Sequence, residues 1–487
     1  MRNALWTGNE VMAALADVIN KTSANAPNAP ATDWQAEGVA IDTRSLQAGD
    51  IFVALPGEKV DGHAYVGDAF AKGAAAALVS ADFDAPSGVS ADAVLLRVPD
   101  VLAALELLGR AARHRSRAHI TAITGSVGKT GVKSALAAAL AKSGSVHASE
   151  KSFNNHIGVP LSLARLPADA DYAVFELGMN HAGEIAALVD MVRPHCAIIT
   201  TVGSAHIEHF ADEAAIADAK AEIISGLMPD GVAILPRDNR HFDRLAAAAA
   251  KHGIIDFSVD GETTARAKAA QIHLHAACSC VTAEIDGQSV TFKVGTPGLH
   301  HVANSLAVLA AVQQAGADLA LAALSLADNE GLSGRGQRHQ LDVEDGAVTL
   351  IDESYNANPD SMAAALTTLG LAPRLGRGRR IAVLGDMAEL GDDGPALHAG
   401  LAEAVEKADI DLVVTCGVLM RHLHDHLPPG RMGPHVEARD ALVGLLRRDL
   451  RGDDVVMVKG SNASGMGQVV SALLEQADTT IEEKRVV

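Results

Sequence analysis

The sequence predicts an α/β protein of three domains, and three observations carry that reading. The length, 487 residues, is about three times the usual size of one domain. Short apolar runs alternate with helical stretches through most of the chain, the pattern of parallel sheets covered by helices on both faces. The pattern also changes character near residues 117 and 332, giving blocks 1–117, 118–331 and 332–487.

The first block holds a short apolar run with turn signals (IDTRSLQAGDIFVALPGEKVDGH), an Ala-rich stretch read as helix (YVGDAFAKGAAAALVS) and a helix near LAALELLGRAARHR. RHRSRAH, basic and polar, reads as an exposed linker closing the block. The second block opens with a β-prone run at 120–124, a Gly loop and a helix over 130–142. AVFEL, AIITTVG and GVAILP then read as strands, with EIAALVDMV and EAAIADAKAEIISGL as the helices between them. Beyond about residue 254 the period becomes two. QIHLHAA, CVTAEIDG and QSVTFKV predict a small antiparallel sheet, with Asp286-Gly287 as a hairpin turn. Helices over 301–315 and 318–327 end the block. The third block has two strands (RHQLDVED and AVTLIDE), then strand–helix units around IAVLGDM, LVVTCG and VVMVKGS, a second α/β pattern.

Composition narrows the function. Hydrophobic residues at 48% and charged ones at 21% exclude extended disorder as the main theme. Lys and Arg number 40 against 60 Asp and Glu, a formal charge of −20, so the surface repels nucleic acid and none is expected as partner. A small polyanion can still bind in a locally positive pocket. Four cysteines (Cys196, Cys278, Cys280, Cys416) fit a reducing compartment rather than a disulfide framework. The first 27 residues lack the apolar run of a secretory leader, and no apolar stretch is long enough to span a membrane. A cytoplasmic protein is expected.

The strongest chemical signal is Thr124-Gly125-Ser126-Val127-Gly128-Lys129-Thr130 between a strand and a helix. Glycines let backbone N–H groups turn inward on an anion, and the helix N-terminus adds positive partial charge. Lys129 is placed to reach terminal phosphates and the Thr130 hydroxyl to hold Mg²⁺. Ile123 stands where the full phosphate-loop pattern has its first Gly, so the loop is a TGxxGKT variant. Glu176 closes the strand AVFE and His206 follows AIITTVG. In parallel sheets sites lie beyond the carboxyl ends of strands, so both point to metal roles beside the loop. Lys220 in IADAKAEII reads from its local sequence as a solvated helix lysine. His273 with His275, and Cys278 with Cys280, each share one face of a strand and imply no ligand set; His206-x-x-His209 lacks a third ligand. In the third block, DESYNANP after AVTLI, Gly385-Asp386-Met387 after IAVL and Lys459-Gly460-Ser461 after VVMV place three polar loops at one sheet edge.

Taken in order, DTRSLQAGDIFVALPGEKVDGH, TGSVGKT, SFNNHIGVPLSL, FELGMNHAGEI, GLHHVANSLA, SGRGQRH, IDESYNANPDSM, VLGDMAELG and VKGSNASGM resemble the Mur ligase family over essentially the whole chain. DESYNANPDSM with GDMAELG resembles the branch that joins D-alanyl-D-alanine to a UDP-N-acetylmuramoyl-tripeptide. The resemblance implies a uridine-binding first domain, a central ATP-binding domain and a C-terminal Rossmann-like domain taking nucleotide and dipeptide. It implies ATP contacts from Gly125, Ser126, Val127, Gly128, Lys129 and Thr130, from Asn304 and Arg335, and from Asp352, Tyr355 and Asn356 in the closing loop. It implies Mg²⁺, two ions in all, at Thr130, Glu176 and His206 and at Lys220 as a carbamate. Catalytic roles fall to Lys129, Lys220, His206 and Arg335, and sugar-nucleotide contacts to Asp42, Arg44, Ser45, Asn154 and Asn155. A monomer is expected. Val127 and Gly131 depart from the family pattern, which has a polar residue and a Thr there.

Overall fold

The computed structural model describes residues 4–23, 32–57, 60–150, 152–329 and 331–485. Residues 1–3 and 24–27 of the N-terminal stretch read for a leader lie outside them. Three sheets of parallel or mostly parallel strands organise these residues, with a two-stranded ribbon (Trp6–Thr7 against Gln35–Ala36) at the start.

The first sheet is fully parallel, in the order Gly38–Ala40, Asp50–Val53, Ala76–Ser80, Leu95–Val98. Here the Ala-rich reading is corrected. Only Val66–Ala71 is α-helical; Gly73, at φ +89°, turns the chain, and Ala76–Ser80 is a strand. Ala76, Ala77, Leu78 and Val79 have no solvent exposure, because a strand covered on both faces needs apolar residues at every position rather than at alternate ones. A continuous apolar run of that kind cannot be told from a buried helix by periodicity.

The linker reading is corrected as well. Helix Val101–Arg115, capped by Asp100 accepting from the Ala103 N–H, runs through the basic residues. Arg113 donates to the carbonyls of Val192 and Arg193, satisfying the end of helix Glu184–Val192. The Arg115 guanidinium lies 3.7 Å from the Trp6 ring centre, and the Trp6 indole donates to Ala164 O at 2.8 Å. One hydrophobic core therefore runs from Trp6, Leu15 and Val53 through Leu105 and Leu108 to Leu161, Leu163 and Phe175. The first and second blocks share it.

The central sheet has nine strands, from Val146–Ala148 at one edge through Tyr172–Glu176, His119–Thr124, Cys196–Ile199, Val232–Pro236 and Gly253–Ser258 to Ala267–Leu274, Ser279–Ile285 and Gln288–Val294. The antiparallel strands extend this sheet instead of standing apart from it. Ala267–Leu274 joins the parallel strands through two residue pairs, Phe257 with Ala267 and Ser258 with Lys268. Helix Leu299–Gln314, rich in Ala and buried from Ser305 to Val312, fills the other face.

The third sheet runs Gln337–Val343, Gly346–Glu353, Val455–Lys459, Arg380–Gly385, Leu412–Cys416, Met432–Val436, parallel except for its first strand. Its two faces form their own cores. Register fixes which ends meet: Ile123 pairs with Glu176 and Thr124 with Ile199 in the central sheet, and Glu353 and Leu384 both pair with Lys459 in the third.

Trp6 is the point where the N-terminal ribbon is fastened to the central block. Replacing Trp6 by Ala removes a filled volume, an indole hydrogen bond and the platform under Arg115, and should cost about 3–5 kcal/mol. Urea unfolding followed by circular dichroism should show the midpoint falling accordingly, with the slope unchanged.

Candidate active site

The phosphate loop takes its shape from two glycines. Gly125 sits at φ +149° and Gly128 at φ +89°. A Cβ on Gly125 would lie 1.9 Å from Thr200 Oγ1, and one on Gly128 would lie 2.9 Å from Asn304 Nδ2. The loop is sutured to its neighbour strand's exit. Ser126 Oγ donates to Gly203 O and accepts from Gly203 N–H, at 3.0 and 2.9 Å, and Thr200 Oγ1 donates to Val127 O. Lys129 Nζ donates to Gly125 O at 2.6 Å, folding back over the loop.

Glu176 is the hub below it. Its carboxylate is 1% exposed, accepts from Thr130 Oγ1 at 2.9 Å and from Asn154 Nδ2 at 2.8 Å, and has Lys133 Nζ at 3.9 Å. The donor set of one hydroxyl and one carboxylate fits a Mg²⁺ that draws its other ligands from water and phosphate. Among the described residues no three His, Cys, Asp or Glu side chains converge as a ready-made metal cage. That includes His273, His275, Cys278 and Cys280.

The loop beyond Cys196–Ile199 brings in His206, in a left-handed conformation at φ +65°. Its Nδ1 lies against the Glu389 carboxylate from the third sheet's loop, and that contact holds the Glu389 carboxyl below its usual value. Asp360, at the start of helix Pro359–Gly370, accepts from the Ser204 N–H at 3.2 Å. Arg335 arrives on the turn before Gln337–Val343, its guanidinium 4.0 Å from the Tyr355 ring centre, and the Tyr355 hydroxyl bonds Ser152 Oγ at 2.7 Å.

These groups enclose a cavity of about 640 Å³ between the carboxyl ends of the central and third sheets. Ser126, Val127, Gly128, Lys129, Thr130, Asn154, Glu176, His206, Asn304, Arg335, Tyr355 and Asn356 all line it. Other expected residues are placed elsewhere. Asp352 is 4% exposed and turned inward: it accepts from the Gly334 N–H at 2.7 Å and from Ser354, so it shapes the turn that carries Arg335. Asn155 Oδ1 accepts from the Ile157 and Gly158 N–H groups at the start of helix Gly158–Ala164. Asp42, Arg44 and Ser45 form a surface turn in the first domain, with Arg44 paired to Asp42 at 2.6 Å, outside this cavity. Lys220 lies behind the lining, on helix Glu213–Ala221.

The surface-lysine reading of Lys220 is overturned. It is 1% exposed, has no acidic partner among the described residues, and its amine is pushed well below the ordinary lysine value by burial and then by the charge of Lys129. Burial likewise lowers Lys129, Lys133 and Lys459, with Glu176 opposing it at the first two and Glu353 at the third.

Family comparisons agree over most of the chain. The model "Mur ligase family, catalytic domain" matches residues 35–113, "Mur ligase middle domain" residues 123–312 and "Mur ligase, glutamate ligase domain" residues 334–462. The UDP-N-acetylmuramoyl-tripeptide--D-alanyl-D-alanine ligase of Escherichia coli is 37% identical over 91% of this chain and 95% of its own. The chain belongs to the Mur ligase family. Among solved structures, the MurF of Acinetobacter baumannii superposes with a TM-score of 0.82 at 28% identity, over 96% of this chain and 99% of that one. The MurF ligase of Thermotoga maritima, in complex with ADP, superposes with a TM-score of 0.76 at 22% identity, over 91% and 98%.

In this Mur ligase chain, residue-level reading gives no role to Lys133, Asp360 and the His300–His301 pair, and marks Lys459 and Glu353 only as members of polar loops at the third sheet's edge. All but Lys133 line the cavity. Lys459 Nζ donates to Asn356 O at 3.0 Å and to Glu353 at 3.4 Å, and was signalled only by its place at a strand's carboxyl end. His300 is lowered to about 4 by burial and by the Lys459 charge, and His301 is held well below its ordinary value by burial and then by His300.

Because folded His300 binds its proton only near pH 4 while the unfolded chain binds it near 6.5, the unfolded state takes up more protons between those values. Stability should be full above about pH 6.5 and fall as pH drops toward 4. Thermal melts across that range should show the fall, and His300→Gln should make it shallower.

Proposed function

We propose that this chain joins D-alanyl-D-alanine to the C-terminal carboxylate of UDP-N-acetylmuramoyl-tripeptide at the expense of ATP, building a peptidoglycan precursor in the cytoplasm as a monomer. The observation that carries the reading is the cavity itself, where the TGSVGKT loop, Glu176, His206 and Arg335 come together in a Mur ligase matched along its length. The first domain, residues 1–117, would take the uridine end; residues 118–331 would take ATP; residues 332–487 would take the dipeptide and close over the nucleotide.

A carboxylate and an amine do not condense in water because the carboxylate is a poor electrophile. In the proposed sequence a tripeptide carboxylate oxygen attacks the γ-phosphorus of ATP, the bond to ADP breaks, and an acyl phosphate results. The dipeptide amine then attacks the acyl carbon, loses a proton, and inorganic phosphate leaves. Lys129 and Arg335, which both line the cavity, would offset charge on the transferring phosphoryl group. Thr130, Glu176 and His206 would hold Mg²⁺, which supplies Lewis-acid neutralisation of phosphate charge when bound. Asn154, bonded to Glu176, fixes that carboxylate's direction. Water is kept from the mixed anhydride by the walls that Tyr355 and Ser152 draw together.

Lys220 fits carbamylation on physical grounds. The reaction needs a neutral amine to attack CO₂, and burial disfavours the charged form of this one. The product is an anion in a pocket short of anions, available to a second Mg²⁺. Lys220→Ala should lower kcat by about 10²–10³-fold, the range seen when one electrostatic group is removed. Added formate or acetate should restore part of it; unchanged activity would return Lys220 to a packing role.

The direct test is mass spectrometry of products from ATP, UDP-N-acetylmuramoyl-tripeptide and D-alanyl-D-alanine. A pentapeptide product with equimolar ADP is expected. Equal ADP release with a single amino acid or glutamate would point to a relative of different specificity, and nucleotide binding without amide product would point to a regulator.

A further inference from the structure

We infer that Glu389 is a positioning residue for the metal site. It grips His206 through Nδ1 from the opposite domain and so presents Nε2 to a divalent cation in the cavity. This rests on the proposed metal role of His206.

The geometry comes from both sides of the junction. His206 Nδ1 is buried and faces the Glu389 carboxylate, while no described residue bonds Nε2, and the ring lines the cavity. A carboxylate on one imidazole nitrogen fixes the tautomer that leaves the other free for a metal, and raises its basicity. Both residues hold left-handed backbone conformations, His206 at φ +65° and Glu389 at φ +60°, which L side chains rarely adopt. Two such residues meeting across a domain boundary indicate that each loop is shaped for the contact.

The loop bearing Glu389 is rigidly built for its position. His398 has no solvent exposure; its Nε2 accepts from the Met387 N–H at 3.0 Å and its Nδ1 donates to Gly394 O at 2.6 Å, stapling both ends of the loop. Met387 and Leu390 are buried on either side, while Glu389 projects from between them. Opposite, the His206 loop is also tied to Asp360 through the Ser204 N–H, and the Glu208 N–H reaches Glu389 O. The consequence is that the imidazole ligand is aimed only when the third domain is docked, so metal affinity reports domain closure.

The test measures Mn²⁺ binding by electron paramagnetic resonance, using full-length protein saturated with a non-hydrolysable ATP analogue. Glu389→Ala and Glu389→Gln should weaken Mn²⁺ by about 10–100-fold. ADP affinity without divalent ions and the thermal midpoint should stay at the unmodified protein's values. His206→Ala should weaken Mn²⁺ too, and the double variant should be no weaker than His206→Ala alone, since one ring carries both effects. Unchanged or tighter Mn²⁺ binding in both Glu389 variants, or losses that multiply in the double variant, would overturn the inference while His206 remains a ligand. Unchanged binding in His206→Ala would overturn the metal reading of His206 and this inference with it.

Discussion

The site depends on cations kept in a dry space with too few carboxylates to match them. Lys133 and Lys459 are 4% and 3% exposed, and Lys129 and Arg335 share the same cavity region. Glu176 and Glu353 are the carboxylates close enough to oppose burial at Lys129, Lys133 and Lys459. Removing an ammonium from water costs several kcal/mol unless an anion compensates. In the proposed reaction a bound polyphosphate and a substrate carboxylate would supply that anion. An overall charge of −20 coexists with this because solution encounter and pocket chemistry act at different ranges.

Two kinds of junction then divide the labour. The first and central sheets share one apolar core that runs through Trp6, Leu105, Leu161 and Phe175, so they form a continuous packed body. The third sheet meets that body mainly through individual side-chain contacts: Tyr355 to Ser152, Asp360 to the Ser204 N–H, Arg338 to Ala276 O, and Ile207 wedged between two cores. Contacts of that kind can be broken and remade at low cost, which suits the proposed role of a domain that closes over the nucleotide.

Much of this was legible in the sequence where local rules coincide with global ones. TGSVGKT sits between strand and helix as its glycines require, and Glu176 and His206 emerge at the edge that parallel topology dictates. Legibility failed where burial overrides local pattern. The AAALVS strand is apolar on every residue, so it carries no period, and the basic end of helix Val101–Arg115 is consumed by carbonyls and an indole that lie far away in the chain. Lys220 looks solvated because its helix neighbours are Ala and Asp; only the packing of Ile216, Ile223 and the central core around it reveals the burial. Asp352 and Asn155 had the right neighbourhood and the wrong direction, since their carboxylate and amide oxygens serve backbone N–H groups.

The central claim is that the cavity lets a tripeptide carboxylate become a phosphorylated, reactive acyl group before the amine arrives. The most direct measurement is oxygen tracing: UDP-N-acetylmuramoyl-tripeptide labelled with ¹⁸O in its terminal carboxylate, followed through turnover with ATP and D-alanyl-D-alanine. One labelled oxygen should leave in each inorganic phosphate formed, because the carboxylate oxygen that attacks phosphorus departs with it. Phosphate free of label, with amide still produced, would contradict the account.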